Sequence, residues 1–580
     1  MLRAGSPFVL LDDARPGGRR MLFRDPVEIV AAYEPAEVRD SLGRVRAAVA
    51  AGHHAAGWLA YEAGHALEAR LGGLSEPAGR PLLWFGLFAG HQPFDPDSLP
   101  DAAGAWAGAP RPQVTRAEYD RAIRQVLDWI AAGDIYQANL SFRAAVRIHG
   151  DPLALYARLR AAGGAGWGGI VHDGRDWLLS FSPELFFALE DRHVLTRPMK
   201  GTRVRHADPA EDRAAAAELA AATKDRAENL MIVDLLRNDL ARVARPGSVR
   251  VPALFAVEHY PTVHQMVSEV TAELAPGRDA VDVLEALFPC GSVTGAPKVR
   301  AMEIIHAVEA DRRGAYTGSV GYISPGGRAA FNVAIRTLVL EEGSDEARIG
   351  LGSAVVADST AEQEWAECLA KGAFVTAPNR PFDLIETMRF DPLDGLVNLE
   401  AHVARLGASA SRFDFQFNRH DVRNELHAAT FRLTEFARVR LRLSPSGSVA
   451  IETSALPPVA NGSVGVRVVP LPVAAEDFRL RHKTSDRSFY DEARAVAGTF
   501  EVVFVRPDGQ LTEGSFTSIF VARDGRYLTP PIASGLLPGV HRALMIERGE
   551  AVEAALTAAD LCGGFFLGND VRGMMPAHLV

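Results

Sequence analysis

Lys200, in Thr196-Arg197-Pro198-Met199-Lys200-Gly201-Thr202, follows Glu184 of Ser182-Pro183-Glu184-Leu185-Phe186 by sixteen positions. An amine and a carboxyl group that two adjacent strands can bring together make a nucleophile and a proton donor. Asp225 and Glu228 lie three residues apart in a helical stretch, and Glu364 and Glu367 repeat that spacing. Each pair falls on one helix face, where like charges repel. Two such pairs point to a shared hard cation with oxygen ligands. Mg²⁺ fits, because it binds few carboxylates and keeps waters and substrate oxygens in its octahedron.

The second half carries a different set: Lys483 in His482-Lys483-Thr484-Ser485-Asp486-Arg487, Glu513 in Thr512-Glu513-Gly514-Ser515-Phe516, Arg405 in His402-Val403-Ala404-Arg405-Leu406, and Leu537-Pro538-Gly539-Val540-His541-Arg542. Pyridoxal phosphate (PLP) needs an amine to bond, an acid that keeps its ring nitrogen protonated, and a phosphate cradle of arginine and backbone N–H groups. These residues supply all three.

Elements must position these groups. A chain of 580 residues is too long for one core, so two or more domains are expected. The two prolines of Val375-Thr376-Ala377-Pro378-Asn379-Arg380-Pro381 stop a helical pattern, which predicts a domain over 1–375, a linker over 376–381 and a second domain over 382–580. In the first, the runs Asp176 to Ser182, Leu185 to Leu189, Tyr316 to Ile323 and Phe331 to Leu340 read as strands among amphipathic helices, an α+β pattern. Thr115 with Glu118 reads as a capping box, Ile123, Val126, Leu127 and Ile130 as an apolar stripe, Gly133 as a stop, and Tyr136 to Phe142 as the next strand. Beyond the linker, Asp508-Gly509 and Asp524-Gly525 read as hairpin turns, so this half is α+β too. Ala102 to Pro112 reads as a loop.

Lys and Arg number 62 against 72 Asp and Glu, a net charge of −10. That balance argues against a nucleic-acid or anionic-membrane partner, since both call for a basic patch. With no long apolar run and no signal-peptide core, the cytoplasm is the expected location. Cys290, Cys368 and Cys562 are too widely spaced for a disulfide framework or a zinc site, and none sits in a glutaminase Gly-x-Cys-x-Gly elbow.

The Glu184 and Lys200 blocks, Glu228-Asn229-Leu230-Met231-Ile232-Val233-Asp234-Leu235-Leu236-Arg237-Asn238-Asp239 and Gly291-Ser292-Val293-Thr294-Gly295-Ala296-Pro297-Lys298 together resemble the chorismate-utilising enzymes, in that family's order. The resemblance implies an N-terminal fold of antiparallel sheets with helices. It implies magnesium between Glu228, Glu367 and the ring carboxylate of chorismate, with Asp225 and Glu364 on metal-bound water. Arg336 and Tyr316 would bind the enolpyruvyl carboxylate, helped by backbone N–H groups around Gly350 and Gly352, and His264 and Lys371 would line the pocket. Isochorismate and salicylate synthases carry a water-activating Lys where this chain has Gln137. Anthranilate synthases have Ala in place of Lys200, whereas the aminodeoxychorismate synthase branch has this Lys. There the Lys attacks C2 as the C4 hydroxyl leaves, Glu184 protonates that hydroxyl, and ammonia then adds at C4. Lys200 should therefore have a depressed pKa and Glu184 a raised one. With no glutaminase elbow in the chain, the ammonia would come from a separate glutaminase subunit or be taken up free.

The second set, with Leu528-Thr529-Pro530-Pro531 and Asn569-Asp570-Val571-Arg572-Gly573, resembles the fold-type IV PLP enzymes, the family of aminodeoxychorismate lyase and branched-chain aminotransferases. Lys483 would bond the cofactor and shuttle protons, Glu513 would pair with the ring nitrogen, and Arg405 with the N–H groups of Val540 and His541 would hold the phosphate. His541 and Asp570 depart from the Thr or Ser frequent at those positions, and a carboxylate near a phosphate should repel it. The first half's product makes lyase chemistry the expected reaction, giving 4-aminobenzoate for folate synthesis. A D-amino-acid or branched-chain transaminase and a silent dimerisation module are the alternatives. Fold-type IV domains usually pair, which implies a homodimer through the C-terminal domain.

Overall fold

The computed structural model describes residues 6–74, 79–260, 263–458 and 462–580. They form two compact units, the first from residues up to 99, 109–148 and 156–378, the second from 100–108, 149–155 and 379–580.

The first unit is built from two large antiparallel sheets. One contains Gln137–His149, Glu346–Val355, Thr337–Glu341, Asp176–Ser180, Gly168–His172 and Phe8–Asp12. The other contains Met199–Val204, Val263–Glu273, His193–Thr196, Leu185–Glu190, Ala329–Asn332, Ser319–Ile323 and His54–Leu59. Asp176–Ser180 and Ser319–Ile323 are buried at every position, as strands covered on both faces must be. The run Phe331 to Leu340, expected to be one strand, is two. Ala329–Asn332 ends in one sheet and Thr337–Glu341 begins in the other, with Arg336 turning at φ 50°.

Residues 181–184 cross between the same sheets, because Asp176–Ser180 and Leu185–Glu190 lie in different ones. Pro183 can donate no ladder bond there. The two crossings bond to each other, Phe181 N–H to the Arg336 carbonyl at 3.1 Å and Val333 N–H to the Glu184 carbonyl at 3.1 Å. This seam ties Glu184 to Val333 at one end and Arg336 to Phe181 at the other.

The helix Arg116–Ala131 carries the expected Thr115–Glu118 capping box, with Tyr119, Ile123 and Val126 buried beneath it. The strand that follows runs longer than expected, Gln137–His149. Helices Thr223–Ala241 and Ala361–Gly372 carry the two carboxylate pairs.

In the second unit a four-stranded antiparallel sheet, with Leu384–Asp391 and Ala437–Leu443 paired at its centre, is packed by helix Leu399–Arg412. A mixed sheet follows, in which Val464–Pro470 runs parallel to Glu501–Val505 and to Gly573–Leu579. Asp524 and Gly525 adopt φ 50° and 77° between two paired strands, the left-handed geometry a two-residue hairpin turn requires. Ala102–Gly104 is a short 3₁₀ turn, and Trp106 joins Phe382, Phe413 and Phe478 in the core of this second unit. The expected plain loop is thus part of a core, because Trp106 stands edge-on to Phe413 with centroids 5.1 Å apart. Among the described residues no helix is long and apolar enough to cross a membrane.

Candidate active sites

At the seam, Ser182 Oγ donates to the Val333 carbonyl at 2.6 Å and accepts from Glu184 N–H at 3.2 Å. Glu184 is 5% exposed, and its Oε1 has no hydrogen-bond partner. Burial pushes its carboxyl up to about 7, against the pull of the Ser292 hydroxyl and the Lys200 and Lys371 amines.

Lys200 lies in the strand Met199–Val204, whose pairing with Val263–Glu273 slips between Met199 and Thr202. The slip turns on Gly201 at φ 78°, where a Cβ would stand 2.9 Å from the Asp225 side chain. Gln265 locks this turn: its amide donates to the Gly201 carbonyl at 2.8 Å and accepts from Thr202 Oγ1 at 2.8 Å. Burial lowers the Lys200 pKa; Lys371 acts with it, while Glu228, Glu184 and Glu367 oppose. The amine and acid are thus shifted toward each other.

Tyr316 is buried with its ring against Gly350, where a Cβ would sit 2.1 Å from Cγ, and its hydroxyl against Gly352. Both glycines are needed for that approach. Lys371 Nζ donates to the Gly352 carbonyl at 2.9 Å and pairs with Glu367 at 2.7 Å. Arg336 has its pKa lowered by burial alone, with no carboxylate counted against it. Such a guanidinium favours an anionic ligand.

His264 is buried and bonds Asp212 at 2.9 Å and His259 at 2.7 Å. Among the described residues no three His, Cys, Asp or Glu side chains are grouped to hold a metal by themselves. Asp225 pairs with Arg203 at 3.2 Å, Glu367 with Lys371, and Glu364 accepts from Ser359 Oγ at 2.6 Å. Glu228 remains, its pKa raised by burial although the Lys200 and Lys224 amines pull it down.

Sequence reasoning missed Ser292 as a partner of Glu184 and Gln265 as the brace of Lys200. Gln137 is fully buried, and both its amide atoms lack partners.

In the second unit Lys483, Arg405, Glu513, Val540 and His541 line one cavity of about 410 Å³. The Lys483 carbonyl accepts from Ile385 N–H at 2.8 Å, which anchors its backbone to Leu384–Asp391. Burial, with Arg405 and Arg487, brings its amine down to about 7. Glu513 accepts from the Tyr490 hydroxyl at 2.6 Å, and burial raises it to about 8. Arg405 binds Glu386 through two nitrogens, at 2.9 and 2.6 Å, and donates to the Pro538 carbonyl at 3.1 Å. Val540 and His541 open the helix Val540–Glu547, whose first N–H groups have no side-chain cap. Asp570 is tied to His402 at 2.9 Å and to Asn398 at 2.6 Å. A buried low-pKa amine, a buried acid, an arginine and an uncapped helix start are the donor set PLP requires, and they fit it. Tyr490, Glu386 and His402, none of them foreseen, brace that set.

Residues 6–377, more than half of the chain, match the family model for chorismate binding enzyme. The chain belongs to the chorismate binding enzyme family. Residues 383–580 match the model for amino-transferase class IV, so the chorismate-binding part is joined to a class IV domain. Aminodeoxychorismate synthase component 1 of Salmonella typhimurium is 49% identical over 260 residues, 44% of this chain and 56% of that protein. Anthranilate synthase component 1 of Streptomyces coelicolor is 42% identical over 271 residues, 46% and 52% of the two chains. The chain therefore spans little more than half the length of these relatives. Anthranilate synthase component I from Streptococcus pneumoniae shares the fold, with a TM-score of 0.55 at 24% identity over 65% of this chain and 93% of that one.

Proposed function

We propose that the chain makes 4-aminobenzoate from chorismate in two steps, amination at C4 in the first unit and release of pyruvate in the second. Relatives named for aminodeoxychorismate and for anthranilate chemistry are both similar, so overall likeness does not choose between para and ortho amination. The observation that carries the reading is Lys200 with its pKa depressed, within electrostatic reach of Glu184 at about 7.

Lys200 Nζ, uncharged, forms a bond to C2 while the C4–O bond breaks and Glu184 gives the departing hydroxyl its proton. The Glu184 carboxylate takes the proton shed by the new secondary amine. Ammonia bonds to C4, the C2–N bond breaks, and Glu184 returns a proton to the leaving amine. Arg336 and Tyr316 hold the enolpyruvyl carboxylate. Lys371, bonded to Glu367 and the Gly352 carbonyl, would line the same pocket. Magnesium belongs to this reading only with substrate present, because three of the four carboxylates already have partners and the ring carboxylate would add the missing oxygen. The relatives' designation as component 1 supports a separate glutaminase as the ammonia source.

In the second unit PLP, when bound, supplies an electron sink. Lys483 would hold it, Glu513 would face its ring nitrogen, and Arg405 with the N–H groups of Val540 and His541 its phosphate. Lys483 would take the proton from C4, the C3–O bond breaks to release enolpyruvate as the ring becomes aromatic, and the enol's methylene carbon takes up a proton to give pyruvate. Two such domains pairing would make the chain a homodimer.

The test is product analysis of the full chain with chorismate, ammonium, Mg²⁺ and PLP. The wild type is expected to yield 4-aminobenzoate and pyruvate. Formation of 2-aminobenzoate would refute the first step, and transamination of ordinary amino acids without pyruvate release the second.

A further inference from the structure

Arginines crowd the cavity of the second unit, and three of them have acids of their own, while Arg487 donates to the Ser515 carbonyl. Arg405 is matched by Glu386, Arg479 by Asp477 and Arg494 by Asp491. Arg438 and Arg440, two apart on the strand Ala437–Leu443, point to one face. Each lines the cavity, has a buried Nε without a hydrogen-bond partner and forms no ion pair among the described residues. Arg572 also lines the cavity; it donates to the Pro458 carbonyl at 3.0 Å and stacks on Phe500, with no acid against it. Arg438 acts on Arg572 as a like charge close by, and Arg440 acts likewise on Lys483. Cations gathered without counter-charge are costly unless an anion comes between them.

We infer that Arg438 with Arg572, and Arg440 nearer Lys483, form two carboxylate subsites, so that this cavity selects a dicarboxylate amine. The inference rests on the proposed second step and deepens it. With the C4 amine at Lys483, the ether carboxylate on the adjacent C3 falls at Arg440. The ring carboxylate at C1, para to the amine, falls at Arg438 and Arg572. Bidentate guanidinium pairs suit both. An ordinary monocarboxylate amino acid would leave one subsite empty.

The test titrates the PLP-loaded full chain, following the cofactor's visible absorbance so that only this cavity is read. The probes are 3-(carboxymethoxy)benzoate, which carries both carboxylates, and 3-methoxybenzoate, which carries only the ring one. The wild type should bind the dicarboxylate at least about tenfold tighter, as one added charge-assisted contact gives. Arg440→Gln should bring the two affinities together and leave that for 3-methoxybenzoate unchanged. Arg438→Gln should weaken both probes. Equal affinities in the wild type, which do not depend on any variant folding, would overturn the subsites. So would a preference that survives both substitutions. Pyruvate release from aminodeoxychorismate is measured alongside: its absence with the preference intact rejects the lyase reading and keeps the subsites, and its presence without the preference does the reverse.

Discussion

Glu184 and Lys200 show how burial prepares a pair for proton and bond transfer. Glu184 must hold a proton to release the hydroxyl, and its pKa is about 7. Amination should therefore be lost on the alkaline side as Glu184 gives up its proton and on the acid side as Lys200 gains one. Glu184→Gln should remove the alkaline limb and lower kcat by roughly a hundredfold or more; an unchanged limb in the kcat/KM profile would count against this assignment. Glu386 is the opposite case. Burial raises its pKa, but Arg405 and His402 outweigh that and bring it from 4.5 to about 2. Its contribution to stability is present above about pH 4.5 and is lost as pH falls through 2. Glu386→Gln should cost on the order of 3 kcal/mol near neutrality by stranding Arg405, and urea unfolding of the two proteins should converge as pH drops. The residues that do chemistry were legible in the sequence because amines, acids and glycines keep recognisable spacing. Their braces were not: Ser292, Gln265, Tyr490 and Glu386 act through contacts that no spacing encodes.

At the scale of elements, the seam between the two sheets of the first unit does most of the positioning. The apolar run Phe331 to Leu340 has no feature that marks a break. The chain divides it because Arg336 must turn at φ 50° to pass from one sheet to the other, a demand of tertiary structure. By contrast the capping box at Thr115 and the Asp524-Gly525 turn are local, and the sequence announced both. Thr115→Ala should cost about 1 kcal/mol of stability, measured by denaturant unfolding, with little effect on either reaction. Gly350→Ala should behave differently. Its Cβ would enter the Tyr316 ring at 2.1 Å, so KM for chorismate should rise at least about tenfold. An unaltered KM would remove Tyr316 and Gly350 from the substrate pocket.

For the whole molecule, the sequence placed a linker at 376–381. The grouping of 100–108 and 149–155 with the second unit escaped it, since Trp106 meets Phe382 and Phe413 across almost three hundred residues of chain. The two sets of proposed catalytic groups lie in separate units, so their failures should be separable. Lys483→Ala should accumulate aminodeoxychorismate, and Lys200→Ala should still convert supplied aminodeoxychorismate to 4-aminobenzoate. The covalent role of Lys200 is tested most directly by intact-protein mass spectrometry on the chain quenched with chorismate and Mg²⁺ in the absence of ammonia. The account predicts added mass of the dehydrated substrate, located at Lys200 by peptide mapping and absent from Lys200→Ala. An unmodified Lys200 under conditions where added ammonium yields product would contradict it.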